Sequence, residues 1–209
     1  MTPITGMLIL GFGGHARSVA DVALASGITQ LCFLDSNARP GESFSSFPVK
    51  SSLDFELPDD WAVFPAAGDN SKRLEQCDWV IQQGWHLGTL IAPSATVGVG
   101  AQIDEGSFIA HHAHVGPMAS VGRGCIINTG SIVEHECVVG NYSHVSVGAV
   151  VAGRSRIGER CFLGAGSTVI DGLKIMDDVM LGAGACAHRN IDVAGTYVGV
   201  PAKRLGDTH

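Results

Sequence analysis

The sequence predicts a mixed fold in two parts: a small βαβ unit over residues 1–88, then a three-sided parallel β-prism over residues 89–209. Three observations carry this. Aliphatic side chains recur at every sixth position from Ile91 through Leu181, sixteen hexads without an insertion. A glycine-rich turn, Gly11-Phe12-Gly13-Gly14-His15-Ala16, joins an apolar run to an amphipathic stretch near the start. Glycine supplies 28 of 209 residues, while only 16% of residues are charged and 6% aromatic. That is about twice the usual glycine share of roughly 7%, and a turn-dense repeat accounts for it.

The front unit reads in order. Residues 7–12 (MLILGF) form a buried strand. After the glycine-rich turn, Ala16, Val19, Ala20, Val22 and Ala23 mark the apolar face of a helix that stops at Gly27. A second strand over 31–34 ends in Asp35. Glycines at such a turn let backbone N–H groups at a helix N-terminus approach a phosphate. An acidic residue about twenty positions further on suits a ribose. A ligand-free strand-to-helix turn would use the same glycines. Residues 36–60 carry Pro, Ser and acidic residues and read as a loop-rich connection. A third strand covers 62–66, and Ala67-Gly68-Asp69-Asn70 opens a helix over 71–83. A last strand near 87–92 leads into the repeat. About 88 residues hold one mononucleotide half-site rather than the two halves of a dinucleotide fold, which disfavours a dehydrogenase.

In the repeat, the fifth position of each hexad is Ala, Ser or Cys from Ala95 through Ser167 and again at Ala185; Leu173 and Val179 depart. A fifth position and the next first position are two residues apart, so they share one side of an extended strand. Each short strand then points one small and one large side chain inward. Gly, Asn and Asp in positions two to four suit a bend. Three strands close a coil of eighteen residues, and coils stack at about 4.8 Å. The prism is too narrow for Trp, and Trp61, Trp79 and Trp85 all precede it. Cys125, Cys137 and Cys161 fall at fifth positions and read as small core residues. Cys186 is at a sixth position.

Composition excludes several partners. The net charge is −7 with no run of Lys or Arg, so neither nucleic acid nor an anionic membrane is expected. No apolar stretch approaches the roughly 18 residues of a span. The first six residues show no basic n-region, so no signal peptide is expected and the location is cytoplasmic. The six cysteines are far apart with no C-x-x-C pair, which reads as reduced thiols.

Nine histidines are many for this length. His86 and His209 have no readable context. His111, His112 and His114 sit at spacings that suit surface or interface packing better than metal ligation, and no metal is expected. His135 lies at a prism corner between Glu134 and Glu136, pointing outward. A carboxylate on one ring nitrogen fixes the tautomer and raises basicity at the other. His144, at a sixth position, faces out from a flat wall.

Three segments carry a family resemblance: Gly11–Ala16 with Asp35, then 128–148 (NTGSIVEHECVVGNYSHVSVG), then Val198-Gly199-Val200-Pro201-Ala202-Lys203. Together they resemble the hexapeptide-repeat N-acetyltransferases that act on nucleotide-linked 4-amino-4,6-dideoxy sugars, the bacillosamine type especially. The resemblance implies a Rossmann-like front unit and a left-handed parallel β-helix. It implies acetyl-CoA as co-substrate, a UDP-linked amino sugar as acceptor (with GDP or dTDP as alternatives), and a homotrimer that binds the donor between neighbouring prisms. It implies His135 as general base with Glu136 orienting it. His144 would lie beside the thioester carbonyl, with Gly153, Ala165, Ala183 and Lys203 toward acetyl-CoA. Gly13, Gly14, His15, Asp35, Ser36, Gly68 and Asn70 would surround the nucleotide sugar. Position 36 is Ser where the bacillosamine-type enzymes are expected to carry a second acidic residue, which leaves the nucleotide base of the acceptor open. The alternatives are a sialic-acid-type sugar O-acetyltransferase, a non-catalytic sugar-nucleotide-binding scaffold, and a prism-type carbonic anhydrase.

Overall fold

The computed structural model describes residues 4–206, so residues 1–3 and 207–209, His209 among them, lie outside it. The front unit contains β1 (Gly6–Leu10), α1 (Gly14–Ala25), β2 (Gln30–Leu34), β3 (Ser43–Phe44), β4 (Phe47–Lys50), β5 (Trp61–Pro65) and α2 (Asn70–Gln82). Its sheet runs β3-β4-β2-β1-β5. β1 is parallel to both β2 and β5 and is buried along its whole length, as a continuous apolar run in a parallel sheet should be.

One expectation fails here. Residues 36–60, read as loops, contain the β3–β4 hairpin, and β4 adds to the sheet parallel to β2. The strand has four residues and includes Pro48. That is too short and too Pro-interrupted for alternation to mark it.

From Leu90–Ile91 to Cys186–Ala187 the chain forms short strands that stack into three parallel sheets. The register is eighteen residues throughout: Phe108 pairs with Ile126, Ile126 with His144, and His144 with Phe162. These four side chains mark the first face. The second face carries His114, Ile132, Val150 and Thr168. The third carries Ser120, Val138, Arg156 and Lys174. The front unit docks on the first face, where Leu90, Ala92, Phe108, Ala110 and Ile126 join its core. Leu87 still bridges to Val63 in the front sheet, and Leu90 already pairs with Phe108.

The small fifth-position residues do more than fit. Ser107 Oγ donates to the Gly122 carbonyl at 2.7 Å and Ser143 Oγ to Gly158 at 2.7 Å. Cys125 Sγ reaches Gly140 at 3.1 Å and Cys161 Sγ reaches Met176 at 3.0 Å. Each of these four bonds runs fifteen residues forward and satisfies a buried polar atom. Burial pushes the Cys125 thiol up to about 12 and Cys161 to about 11. These are packing residues, not nucleophiles. The fourth position of a turn is left-handed, and Tyr142 and Arg160 hold φ of 60° and 53° there. Among the described residues no helix is long and apolar enough to cross a membrane.

Candidate active site

The chain leaves β1 through Gly11, whose φ of 105° suits glycine. Gly13 then caps α1 with no side chain bonded to the free N–H groups. A Cβ at Gly13 or Gly14 would meet nothing within 4 Å, so this helix end is open. Asp35, just past β2, closes the other side. Its Oδ2 accepts the Phe12 N–H at 2.9 Å and its Oδ1 accepts the Asn37 N–H at 2.9 Å. Phe12, Gly13, Asp35, Asn37, Arg39 and Glu42 line a cleft of ≈ 260 Å³. Ser36 is exposed at the turn and does not line that cleft; Asn37 does.

The junction between the two units is polar and buried. Asp69 caps α2 by accepting the Lys72 N–H at 2.9 Å. Asn70 donates to the Arg160 and Cys161 carbonyls at 2.9 and 3.1 Å, and its Oδ1 accepts from Arg73 Nη2 at 2.7 Å. Its amide is therefore committed to the junction at both ends. Gly68 passes beside His15. The His15 ring stacks edge-on against Phe108 at 5.1 Å and lies 6.4 Å from the His144 ring. His144 is 8% exposed, and its Nε2 meets Asn128 Nδ2 at 3.1 Å. Asn128 Oδ1 accepts the Thr129 N–H at 2.8 Å, which fixes the amide orientation. His144 Nε2 is thus the acceptor, and Nδ1 carries the proton of the neutral ring.

His15 Nε2 and His144 Nδ1 are both buried without a hydrogen-bond partner. Burial lowers His144 to about 4, and the Arg73 charge adds to that; the Gly68 backbone opposes it. Burial lowers His15 to about 3, helped by His144 and Arg73. Both rings are neutral at pH 7.

His135 stands elsewhere. It follows the strand Ile132–Val133 and precedes Val138–Val139, so it sits at the corner between the second and third faces. Its side chain is 41% exposed, with Nδ1 3.6 Å from Glu136 Oε1. Gly153 lies one coil further on and is buried beneath the ring. A Cβ at that position would collide with the imidazole.

Ala165 and Ala183 are exposed in turns between the first and second faces, the corner that also holds Asn128. Lys203 belongs to a C-terminal hairpin in which Lys203 pairs antiparallel with Val198. With His188, Arg189, Asp192, Tyr197 and Arg204 it lines a cleft of ≈ 510 Å³.

The structure therefore gathers Gly13, Gly14, His15, Asp35, Gly68, Asn70 and His144 on the docked side of one chain. His135, Glu136 and Gly153 lie on the corner opposite the docked face. One chain does not bring the two groups together. Apolar side chains are exposed around the His135 corner: Val99, Met118 and Ile170 are 88%, 65% and 40% accessible.

The sequence reading missed Arg73, Asn128, Asn37 and Arg39. Arg73 had a signal: with Cys77 and Val80 it occupies the buried face of α2 at i, i+4 and i+7. A charge at an apolar helical register marks a bonded interior group. The His111 cluster is used for packing. His111 Nε2 lies 3.3 Å from Asp21 of α1 and its Nδ1 contacts Ser94, while His114 contacts Thr96. Among the described residues no three His, Cys, Asp or Glu side chains converge.

Comparison with known proteins places these features. The PglD N-terminal domain family matches residues 7–80. The acetyltransferase domain of PglB from Neisseria gonorrhoeae FA1090 is 32% identical, with a TM-score of 0.91 over 96% of this chain and 100% of that one. The same domain has been solved with acetyl coenzyme A. PerB from Caulobacter crescentus, solved with CoA and GDP-perosamine, is 32% identical, with a TM-score of 0.88 over 97% of this chain and 98% of that one. The prism is accordingly a left-handed parallel β-helix behind a Rossmann-like unit.

Proposed function

The chain belongs to the acetyl-CoA-dependent sugar-nucleotide N-acetyltransferases, and from that premise we propose that it acetylates the 4-amino group of a nucleoside-diphospho-4-amino-4,6-dideoxy sugar, with His135 as general base. The family resemblance favours a UDP-linked acceptor, with GDP- and dTDP-linked ones as alternatives. A GDP-linked one stands beside it because the PerB relative is solved with GDP-perosamine. The observation that carries the assignment is the His135 environment: a carboxylate at Nδ1, a glycine beneath the ring, and an outward corner.

The chemistry follows from these groups. A sugar amine is protonated at neutral pH and must lose a proton to attack. The ammonium gives its first proton to solvent; as the N–C bond forms, His135 Nε2 accepts the second, while Glu136 holds the imidazole and steadies its charge. The amine nitrogen bonds to the thioester carbonyl carbon. The tetrahedral oxyanion then collapses, the C–S bond breaks, and the thiolate of CoA takes a proton back from His135. No acyl-enzyme is required. The open N-terminus of α1 at Gly13 and Gly14, with Asp35 beside it, receives the nucleotide diphosphate and ribose. His15, Gly68 and Asn70 form the floor on the prism side. Acetyl-CoA runs along the corner of Ala165 and Ala183, with its phosphates toward Lys203. His144 supports that corner through Asn128.

A homotrimer completes the site. His135 lies opposite the docked face of its own chain, so the residues that face it come from a neighbouring copy. The apolar Ile132 and Val150 of the second face, with Val99, Met118 and Ile170, supply the surface for that contact. The reaction is placed in the cytoplasm, with no metal, nucleic acid or membrane partner.

The test is release of free CoA from acetyl-CoA with UDP- and GDP-linked 4-amino sugars and their 4-hydroxy counterparts. Rapid release with an amino sugar and none with its hydroxy counterpart is expected. Equal release with both would move the acceptor to a hydroxyl. Binding of the sugar nucleotide with no release would return the scaffold reading.

A further inference from the structure

We propose that Arg73 is a positioning residue for acetyl transfer: with Asn70 it clamps one turn of α2 to three successive coils of the prism and so sets the junction that holds His144. This rests on the transferase reading above.

Arg73 is 1% exposed. Its Nε donates to the Gly124 carbonyl at 2.6 Å and Nη2 to the Tyr142 carbonyl at 2.7 Å. Asn70 takes the Arg160 carbonyl at 2.9 Å. Gly124, Tyr142 and Arg160 are eighteen residues apart, one coil above another on the corner between the third and first faces, and all three have φ between 53° and 62°. Asn70 and Arg73 are three residues apart on α2, an axial rise of about 4.5 Å. Coils repeat at about 4.8 Å, so the two side chains meet consecutive rungs. The remaining bonds hold the loop at the acceptor side: Nη1 donates to Ala67 and Gly68 carbonyls at 3.0 and 3.3 Å, and Nη2 also to Asn70 Oδ1.

All five guanidinium hydrogens are used, and every acceptor is a neutral oxygen. The charge is thus buried without a hydrogen-bonded carboxylate. Asp69, Cys77 and Cys125 are the titratable groups around it. Its own field falls on both His15 and His144; His144 adds to the lowering at His15, and the Gly68 backbone opposes it at His144. A neutral His144 goes on accepting from Asn128; a protonated one has no lone pair for that bond. Loss of the bond would release Asn128 on the corner where acetyl-CoA is proposed to lie. A lysine at 73 would keep the charge and lose the fork that reads two coils at once.

The experiment compares Arg73→Lys, Arg73→Met and Asn70→Asp in the full chain. It measures kcat and KM from pH 5 to 8, and the titration of each histidine by proton NMR, assigned by single His substitutions. Arg73→Lys should lower kcat by about tenfold or more through misplacement, with the acceptor KM little changed and both histidines still neutral. Arg73→Met removes the charge; Asn70→Asp keeps the guanidinium and sets a carboxylate beside it, at the loss of the two donations to the Arg160 and Cys161 carbonyls. In both, the titrations of His15 and His144 should move up, with burial still holding them below the ordinary imidazole range, and an acid limb should enter kcat at the low end of the pH range. Wild-type kcat in Arg73→Lys, or unmoved histidine titrations in Asn70→Asp, would overturn the proposal. The titrations read out even if no amino sugar is acetylated, so failure of the transferase reading is separable. If Arg73→Met does not fold, Asn70→Asp decides the electrostatic half.

Discussion

His135 and His144 are nine residues apart, half of one coil, and the prism puts them on opposite sides. The first stands at an exposed corner with a carboxylate beside it and a glycine under its ring. The second is sealed between two units of the fold, bonded to an amide, and kept neutral by burial and a nearby guanidinium. The contrast shows that environment assigns the chemistry here, and that distance along the chain says little about distance in space. A shift of half a coil separates the exposed imidazole proposed as the base from a fixed neutral strut.

Four measurements would break or sharpen this contrast. The largest effect belongs to the corner. His135→Ala should lower kcat/KM by about 10²–10⁴ and leave thermal melting unchanged, because the side chain is 41% exposed. Retention of most activity in a folded variant would end the base assignment.

The buried wall should speak through stability instead. For a histidine lowered to about 4 when folded, the folded state binds fewer protons than the unfolded state between pH 4 and about 6.5. Stability is fully present above 6.5 and falls as pH drops through that window, by about 1.4 kcal/mol per pH unit for each such ring. His15, lowered to about 3, adds a second contribution with the same sign. Melting followed from pH 7 to 4 should show this slope, and His144→Asn should flatten it. A slope unchanged in that variant would mean the wall is less sealed than described.

Glu136→Gln should cost about tenfold in kcat, because it removes charge from an exposed carboxylate while keeping its shape. Last, Cys137→Ser should change stability by less than about 1 kcal/mol, since Ser at other fifth positions makes the equivalent forward bond. A large loss in unfolding titrations would show that sulfur volume, not the bond, fills that coil.

The prism was legible because its physics repeats. One large and one small inward residue recur from hexad to hexad, with Leu173 and Val179 the departures, and glycine takes about half of the left-handed turn positions. The register that puts Ile132 beside Val150 follows from counting alone. The open turn at Gly13 and the acidic Asp35 were also visible, since backbone approach and a strand end leave local marks. The β3–β4 hairpin was not, because a four-residue strand containing Pro48 has no period to detect. The junction was only half visible. Asn70 was read as facing the nucleotide, and its bonds to Arg160 and Cys161 depend on residues ninety positions away. Ser36 was chosen by analogy with an acidic position, whereas Asn37 lines the cleft. Nor does any sequence pattern show that His135 and the acceptor cleft lie on opposite sides of one chain.

The match between α2 and the coils behaves like a vernier. Three helical residues advance about 4.5 Å against about 4.8 Å for a coil, so the scales coincide at one mark and drift by roughly 0.3 Å with each further step. Four steps on, the error exceeds an ångström, too much for a hydrogen bond to bridge. Beyond Arg73 the same helix face presents Cys77 and Val80, which pack by shape and need no such match. A latch with a single setting has an evolutionary consequence. Whole coils can be added or lost beyond Cys161 without disturbing it, because eighteen residues return the chain to the same corner. An insertion of one residue between Gly124 and Arg160 would slide every later rung off its mark.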